Sequence, residues 1–200
     1  MHVHIVDDER ELMASLTILL RQAGHQVHSF ASGEAFLAVA DDIPVGCVLL
    51  DLLLPEMNGL EVQARLAEMK SRHAVVLLTG FGDVPDAVQA MKAGALDFLR
   101  KPFRRAELLE VLERAEAHVA RTLAEHTKSQ RLQTMDQLTD REREVLIALA
   151  SGDPTKIVAH RMNLSARTVE MHRAHILRKL DVGNIAAALL MAERAGLIEA

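Results

Sequence analysis

The stretch Gly46-Cys47-Val48-Leu49-Leu50-Asp51 decides the fold, because it has the pattern of a β-strand that is buried on both faces. Pro44 and Pro55 bound the apolar run, and the charged Asp51 stands at its carboxyl end. In parallel α/β sheets, ligands bind in the crevice beyond the carboxyl ends of the strands. A single aspartate there is weak support for a site, since aspartate is also common in turns. The side chains at the ends of the neighbouring strands therefore decide whether a site is predicted.

Three other predicted strands also end in polar side chains. They cover residues 3–6, 75–78 and 96–99. The side chains that follow them are two carboxylates, a hydroxyl and an ammonium group, namely Asp7, Asp8, Thr79 and Lys101. Because parallel strands end at one edge of a sheet, we expect these groups to gather beside Asp51.

Strand and helix patterns alternate along the first part of the chain. Five strands and five helices over about 120 residues predict a doubly wound, five-stranded parallel sheet with helices on both faces. Ser32 is the predicted cap of the second helix. Asp83 is the predicted cap of the fourth helix, which carries Pro85 in its first turn.

The fifth helix marks the end of the first domain. It begins near Arg104 and keeps an apolar stripe to Leu123, whereas residues 125–133 are polar and predict a linker or a solvated helix. The stripe favours packing against the sheet, with a coiled-coil contact as the alternative. We predict three parts: a first domain over residues 1–121, a helical linker over 122–137 and a second domain over 138–200.

A small all-α domain is predicted to follow the linker. Thr139 and Glu142 have the spacing of a capping box at the start of its first helix. Asp153 is the predicted cap of a short second helix, and Ser165 precedes a longer third helix over 166–180. A three-residue turn joins these two helices and a fourth helix closes the chain, so a four-helix helix-turn-helix domain is predicted.

Composition and charge narrow the class of protein. The chain has a net charge of −5, and no apolar run approaches the roughly 20 residues that a membrane span needs. It lacks a secretory signal pattern, and its one cysteine, Cys47, lies in a predicted buried strand, so we expect a cytoplasmic protein. Residues 154–180 hold six basic residues and one acidic residue, and this local positive charge favours binding to nucleic acid.

The three aspartates at the predicted sheet edge can hold a cation. Neighbouring carboxylates repel one another unless a cation lies among them, and an all-oxygen, water-accessible ligand set suits Mg²⁺. With the ion held by two carboxylates, the third could attack a phosphoryl group. Thr79 could then donate a hydrogen bond to one phosphoryl oxygen, and Lys101 could pair with another.

Two sets of residues resemble known domains. One set is similar to the receiver domain of bacterial two-component response regulators: Asp7-Asp8, Asp51, Pro55, Gly59, Thr79-Gly80 and Lys101-Pro102. The other is similar to the LuxR-type DNA-binding domain: Leu138-Thr139, Arg141-Glu142, Glu144-Val145-Leu146, Thr168-Val169, His172 and Lys179-Leu180. Their pairing resembles the NarL/FixJ family, and the sequence TGFGDVP over residues 79–85 favours the FixJ branch.

The resemblance implies a role for each acid. Asp51 is expected to accept a phosphoryl group from a partner sensor histidine kinase in a Mg²⁺-dependent reaction. Asp7 and Asp8 are expected to bind the Mg²⁺ with Asp51, and the backbone carbonyl of Leu53 to be a further ligand. Phosphorylation is expected to promote homodimerisation and transcriptional regulation, with RNA polymerase as a further partner.

The resemblance also implies a conformational switch at the same edge. Thr79 and Phe98 are the expected switch pair, in which the hydroxyl moves to the phosphoryl group and the aromatic ring turns inward. As phenylalanine, residue 98 brings no ring hydroxyl to this pair. The Lys101–Pro102 peptide bond is expected to be cis, and Gly80 to leave room for the phosphoryl group.

The helix over residues 166–180 is expected to enter the major groove of double-stranded DNA. The resemblance implies base contacts from Glu170, Met171 and Ala174. DNA backbone contacts are expected from a larger set: Thr155, Lys156, Arg167, Thr168, Arg173, Arg178 and Lys179, with His172 as a packing or phosphate residue. Two roles stay open for Glu170, which could accept a hydrogen bond from cytosine or orient Arg173.

The second domain departs from its family in residues 154–159. An acidic residue of the family is replaced there by apolar Ile157 or Val158, depending on the register. The three nearby histidines, His160, His172 and His175, also raise the alternative of a metal site, but no cysteine or acid completes a ligand set in the sequence.

Two rival functions are weighed against a DNA-binding regulator. Phosphatases with an aspartyl nucleophile carry a second acid two residues later, where this chain has Leu53. The other rival is a phosphorelay or protein-binding module whose second domain no longer binds DNA. The positive charge of residues 154–180 argues against that rival, although Glu170 is acidic. We therefore expect a regulator and not an enzyme.

Overall fold

Five parallel strands form the sheet of the computed structural model, which describes residues 1–80 and 91–198. The strands are β1 (His2–Val6), β2 (Gln26–Phe30), β3 (Cys47–Asp51), β4 (Ala74–Thr79) and β5 (Asp97–Arg100). Their order is β2-β1-β3-β4-β5, and every neighbouring pair is parallel. The predicted five-stranded parallel sheet is confirmed, and β3 lies at its centre.

The central strand β3 is buried along its whole length, as its unbroken apolar pattern predicts. Cys47 and Leu49 belong to the apolar cluster on one face of the sheet, and Val48 and Leu50 to the cluster on the other. Burial raises the pKa of the Cys47 thiol to about 12, so the thiol stays neutral and packs as a small apolar side chain. The first polar side chain of β3 able to take part in chemistry is therefore Asp51, where the strand ends.

Three described helices precede β4, and side-chain caps begin the second and third of them. These helices are α1 (Arg10–Gln22), α2 (Gly33–Leu37) and α3 (Gly59–Glu68). Ser32 caps α2 by accepting a hydrogen bond from the Ala35 N–H, as predicted. Asn58 and Glu61 form a capping box on α3. The predicted cap Asp83 and the proline that follows it at position 85 lie outside the described residues.

A long helix, α4 (Arg105–Met135), continues through most of the segment 122–137. The polar residues 125–133 are therefore helical. Two compact structural units, Met1–Leu123 and Ala124–Ala200, divide the chain within this helix. In the part of the chain that the structure describes, no helix combines the length and the apolar character that a membrane crossing requires.

The second unit contains a cluster of short helices around its own apolar core. After α4 they are α5 (Asp140–Leu149), α6 (Thr155–Arg161), α7 (Ala166–Leu180) and α8 (Ile185–Arg194). The capping box of Thr139 and Glu142 and the Ser165 cap are present as predicted. The prediction that Asp153 caps α6 is wrong, because Pro154 is the N-cap residue. The Asp153 carboxylate is instead bound by Ser151 and Arg161.

Histidine rings from β1, from β2 and from the residue before β4 lie close together. The ring centroid of His4 lies 5.5 Å from that of His28 and 5.0 Å from that of His73, and His2 is stacked nearby. His4 is fully buried, and its Nε2 donates a hydrogen bond to the carbonyl oxygen of Pro44 at 2.9 Å. The ionisable groups that act on His4 are these three histidines, so protonation of His4 gains no counter-charge.

We expect His4 to make the stability of the protein depend on pH. Burial first, and then the charges of the neighbouring histidines, lower the pKa of His4 from 6.5 to about 4. The contribution of neutral His4 to the stability of the folded protein is fully present above pH 6.5. It is lost as the pH falls from 6.5 to about 4. In that range the free energy of unfolding should fall by about 1.4 kcal/mol per pH unit through this residue.

Urea unfolding at pH 6 and pH 5, followed by circular dichroism, measures this dependence. His4→Gln should lower the slope by the stated amount, because it removes the buried titrating ring. His160→Gln should leave the slope unchanged, since residue 160 is exposed on α6. Equal slopes in the wild-type protein and His4→Gln would contradict the prediction.

Candidate functional site

Three aspartates meet at the carboxyl edge of the sheet, as the strand pattern predicts. Asp51 ends β3 and Asp7 follows β1, and these strands are neighbours with Val6 opposite Leu50. Ligand oxygens of Asp7, Asp8 and Asp51 all lie within 4.8 Å of one another. Asp7 is fully buried and Asp51 is 6% exposed, whereas Asp8 faces solvent. The site is therefore a buried pair of carboxylates with a third at its mouth.

One ammonium group lies against this acidic pair. Lys101 Nζ lies 2.8 Å from an Asp7 carboxylate oxygen, 3.1 Å from one of Asp51 and 3.5 Å from one of Glu9. The Lys101 backbone N–H donates to the Thr79 carbonyl at 2.7 Å, and the Lys101–Pro102 bond is cis. The ends of β4 and β5 thus hold the lysine beside the aspartates of β1 and β3.

Burial and charge shift the pKa values of the facing groups. Burial raises the pKa of Asp51, and the Asp7 charge raises it further, while the Lys101 charge acts in the opposite direction. Burial by itself would lower the pKa of Lys101, but its hydrogen bond to Asp7 and the charges of Asp51 and Asp7 raise it overall. One lysine therefore contacts two of the three aspartates, and the site retains an excess of negative charge.

The loop after β3 is held tightly against the strand end. The Gly59 N–H donates to the Leu52 carbonyl at 2.9 Å, and a Cβ atom at position 59 would lie 2.4 Å from the Asp51 carbonyl oxygen. The Leu53 N–H donates to Asp51 Oδ1 at 3.4 Å, and the Leu53 side chain is 68% exposed. This arrangement fixes Asp51 while leaving its surroundings open. The role of the Leu53 carbonyl stays a prediction.

The donor set fits a hard divalent cation. It offers carboxylate oxygens alone, it carries excess negative charge and its mouth is open to water, which are the conditions under which Mg²⁺ binds with several of its waters retained. Among the described residues, these aspartates are the grouping of three or more acidic, histidine or cysteine side chains whose ligand atoms come this close. Glu9 also reaches the site through Lys101, although no pattern in the sequence points to it.

The predicted switch residues lie on the next two strands. Thr79 ends β4 and is 4% exposed, and it pairs with Arg100 across the sheet. Phe98 lies on β5 opposite Leu77, and 45% of it is exposed. The aromatic ring of Phe98 is therefore outward in this structure, and its inward movement stays a prediction.

In the second unit, α7 presents an exposed stripe that follows the helical repeat. Its buried face carries Val169, Ile176 and Leu180. The opposite face, with spacings of three and four residues, exposes Arg167, Glu170, Met171, Ala174 and Arg178. All three residues predicted to meet base edges therefore lie on one solvent-facing surface. Exposed Lys156 and Ile157 lie in the first turn of the neighbouring α6, and Ile157 was not among the predicted contacts.

Three of the predicted backbone contacts are bound to acidic side chains of the protein. The Thr155 hydroxyl and the Arg173 guanidinium both contact Glu170. Lys179 Nζ lies 2.6 Å from a carboxylate oxygen of Glu142, the capping residue of α5. Burial by itself would raise the pKa of Glu142, but hydrogen bonds from Lys179 and Thr139 lower it to about 2.

The remaining predicted residues occupy different environments. Thr168 and His172 are partly buried, and the Thr168 hydroxyl contacts Ser165. His175 lies 3.7 Å from the second carboxylate oxygen of Glu142. Arg161, which contributes to the positive charge of the region, donates to the Ala148 carbonyl at the end of α5. The basic groups left exposed on α6 and α7 without a described partner are Lys156, Arg167 and Arg178.

Family models match both units. Residues 3–113 match the response regulator receiver domain, and residues 136–192 match the luxR family of bacterial regulatory proteins. The chain is 41% identical to the transcriptional regulatory protein FixJ of Rhizobium meliloti, covering 97% of this chain and 96% of that one. It is 37% identical to the tetrathionate response regulatory protein TtrR of Salmonella typhimurium, covering 96% and 92%.

Two solved structures resemble most of the chain. The response regulator StyR is 35% identical, with a TM-score of 0.71, over 96% of this chain and 98% of that one. Full-length FixJ from B. japonicum is 34% identical, with a TM-score of 0.59, over 98% and 97%.

Proposed function

Because the chain belongs to the response regulators that join a receiver domain to a LuxR-type DNA-binding domain, we propose that phosphorylation of Asp51 switches its control of transcription. The observation that carries this proposal is the gathering of Asp7, Asp8, Asp51 and Lys101 at one sheet edge. Its relatives are named as transcriptional and response regulators, which supports regulation as its task. We assign residues 1–121 to the receiver, 122–137 to a helical linker and 138–200 to DNA binding.

Asp51 is the nucleophile of the proposed phosphoryl transfer. One of its carboxylate oxygens attacks the phosphorus of a phosphohistidine on the partner kinase; a new O–P bond forms and the N–P bond breaks. A Mg²⁺ ion held by Asp7, Asp8 and Asp51, with the Leu53 carbonyl, would screen the repulsion between carboxylate and phosphate. Lys101, already 3.1 Å from Asp51, pairs with a phosphoryl oxygen as charge builds there.

Thr79 and Phe98 transmit the effect of the phosphoryl group on Asp51 to the surface beside β4 and β5. The Thr79 hydroxyl, buried at the end of β4, donates to a phosphoryl oxygen, and the exposed Phe98 ring turns inward to fill the space it leaves. The changed surface then supports a symmetric homodimer, the usual form of such assemblies. The dimer presents two DNA-binding units to paired half-sites and to RNA polymerase.

DNA binding is expected to depend on the exposed basic residues of α7. We expect Arg167→Ala combined with Arg178→Ala to weaken binding to all sequences, because each phosphate contact adds roughly 0.9 to the slope of log affinity against log salt. The double variant should therefore flatten that slope by about two. Gel shifts with random-sequence duplex DNA at several salt concentrations measure it.

A matched double variant controls for loss of charge alone. Lys128→Ala with Arg194→Ala removes the same charge from exposed positions outside α6 and α7, and its slope should stay near that of the wild-type protein. Equal slopes in both double variants would place the DNA surface elsewhere. Absence of DNA binding by the wild-type protein would favour a protein-binding output instead.

A further inference from the structure

A single hydroxyl group joins the two helices of the helix-turn-helix. Thr155 lies in the first turn of α6, and its Oγ1 donates a hydrogen bond to Glu170 Oε1 on α7 at 2.7 Å. The same oxygen accepts a hydrogen bond from Arg173 Nη1 at 3.0 Å. Arg173 Nη1 also lies 3.3 Å from Glu170 Oε1, so the three side chains form a closed triangle.

The hydrogen-bond inventory of Thr155 limits what it can do for DNA. A threonine hydroxyl has one hydrogen to donate, and that hydrogen is directed to Glu170. It is therefore not available to a DNA phosphate, which can only accept. In this structure the Thr155 hydroxyl therefore binds Glu170, and not a DNA phosphate as the sequence predicts.

The triangle leaves Glu170 with one occupied and one available oxygen. Oε1 receives both contacts, whereas Oε2 has no partner among the described residues, and the side chain is more than half exposed. Glu170 also lies on the same exposed stripe as Met171 and Ala174. A carboxylate oxygen in this position can accept a hydrogen bond from the amino group of cytosine in the major groove.

Without Thr155, little would hold the Glu170 carboxylate in place. The remaining contact is an exposed ion pair with Arg173 three residues along the helix, a type that fixes geometry weakly and is screened by salt. The Thr155 hydroxyl comes from a separate helix, so it restrains the carboxylate from a second direction. A restrained acceptor discriminates between bases better than one that moves among rotamers.

We propose that Thr155 is a positioning residue that aims Glu170 at a cytosine, and that this contact sets the preference for one base pair in each half-site. The inference rests on the proposed binding of α7 to DNA. It also joins the two roles left open by the sequence, since Glu170 engages Arg173 with one oxygen and reads a base with the other.

Site selection from a random-sequence duplex DNA pool tests this proposal with the full chain. The wild-type protein should select sites with a cytosine at one position of the half-site. Thr155→Val keeps the shape of the side chain and removes the hydroxyl. It should reduce the discrimination at that position by about 5- to 140-fold. Its affinity for random DNA and its salt slope should stay unchanged. Thr155→Ser, which keeps the hydroxyl, should retain the preference.

A second variant separates positioning from packing. Glu170→Gln should move the preference at the same position away from cytosine, because glutamine suits adenine. The double variant of Thr155→Val and Glu170→Gln should lose no more discrimination than the larger single loss, since both act through one contact.

The outcomes distinguish this inference from the function on which it rests. Unchanged discrimination in Thr155→Val, or losses that add in the double variant, would overturn the positioning role. An equal loss of affinity for all DNA in Thr155→Val would overturn it too, because that result indicates a packing role. Failure of the wild-type protein to bind any DNA would instead overturn the proposed function.

Discussion

Asp51→Asn should abolish the Mg²⁺-dependent transfer of a phosphoryl group from acetyl phosphate to the protein. The neutral amide is a poor nucleophile, whereas the Asp51 carboxylate lies at the open end of β3 beside Lys101. The expected result is complete loss of the added phosphoryl mass in intact-protein mass spectrometry. Removal of Mg²⁺ with a chelator should have a similar effect on the wild-type protein, because repulsion between the carboxylates and the phosphate group is then no longer screened.

Asp42→Asn is the matched control for this experiment. Asp42 is an exposed acid of the same unit that lies in the segment before β3, away from the strand end. It should accept label at the wild-type level. Persistent labelling of Asp51→Asn would place the acceptor on another residue.

Lys179→Met should destabilise the second unit by about 2 kcal/mol at neutral pH. Glu142 is almost fully buried, and loss of its ammonium partner leaves a buried carboxylate unpaired, a change that costs roughly 3–5 kcal/mol in fully buried pairs. The Lys179 side chain is 31% exposed, so the expected cost is smaller. Urea unfolding of the full chain measures the change.

The pH dependence of this variant follows from Glu142. Its pKa is lowered from 4.5 to about 2, so its stabilising contribution is present above pH 4.5 and is lost as the pH falls from 4.5 to about 2. The cost of Lys179→Met should therefore shrink as the solution is acidified through that range.

Two variants serve as controls for the ion pair. Lys156→Met removes an exposed lysine from α6 and should change stability by less than about 0.5 kcal/mol. Adding Glu142→Gln to Lys179→Met should restore part of the lost stability, because it removes the unpaired charge. An equal effect of Lys179→Met and Lys156→Met would contradict the role assigned to the pair. The comparison also matters for DNA binding, since loss of affinity in a Lys179 variant could arise from unfolding.

Short-range patterns predicted the sheet and several of the helix caps. The apolar run that ends in Asp51 predicted a buried strand, and the Ser32, Thr139 and Ser165 signals predicted caps that are present. These features depend on residues within a few positions of one another. The acidic site could be predicted as well, because parallel strands bring their carboxyl ends to one edge.

Contacts between distant segments could not be predicted in this way. The prediction that Asp153 caps α6 was wrong because Arg161, eight residues further on, binds the Asp153 carboxylate. The partner of Lys179 is 37 residues away, and the helical packing that joins it to Glu142 has no sequence motif. The burial of His4 depends in the same way on strand register, which places His28 opposite it.

The most direct test of the central claim is the affinity of the full chain for a selected DNA site, measured with and without acetyl phosphate and Mg²⁺. For the wild-type protein, we predict tighter binding after phosphorylation, because a dimer engages two half-sites at once. For Asp51→Asn, we predict no change on adding the phosphodonor. Equal affinity of the phosphorylated and unphosphorylated wild-type protein would contradict the account.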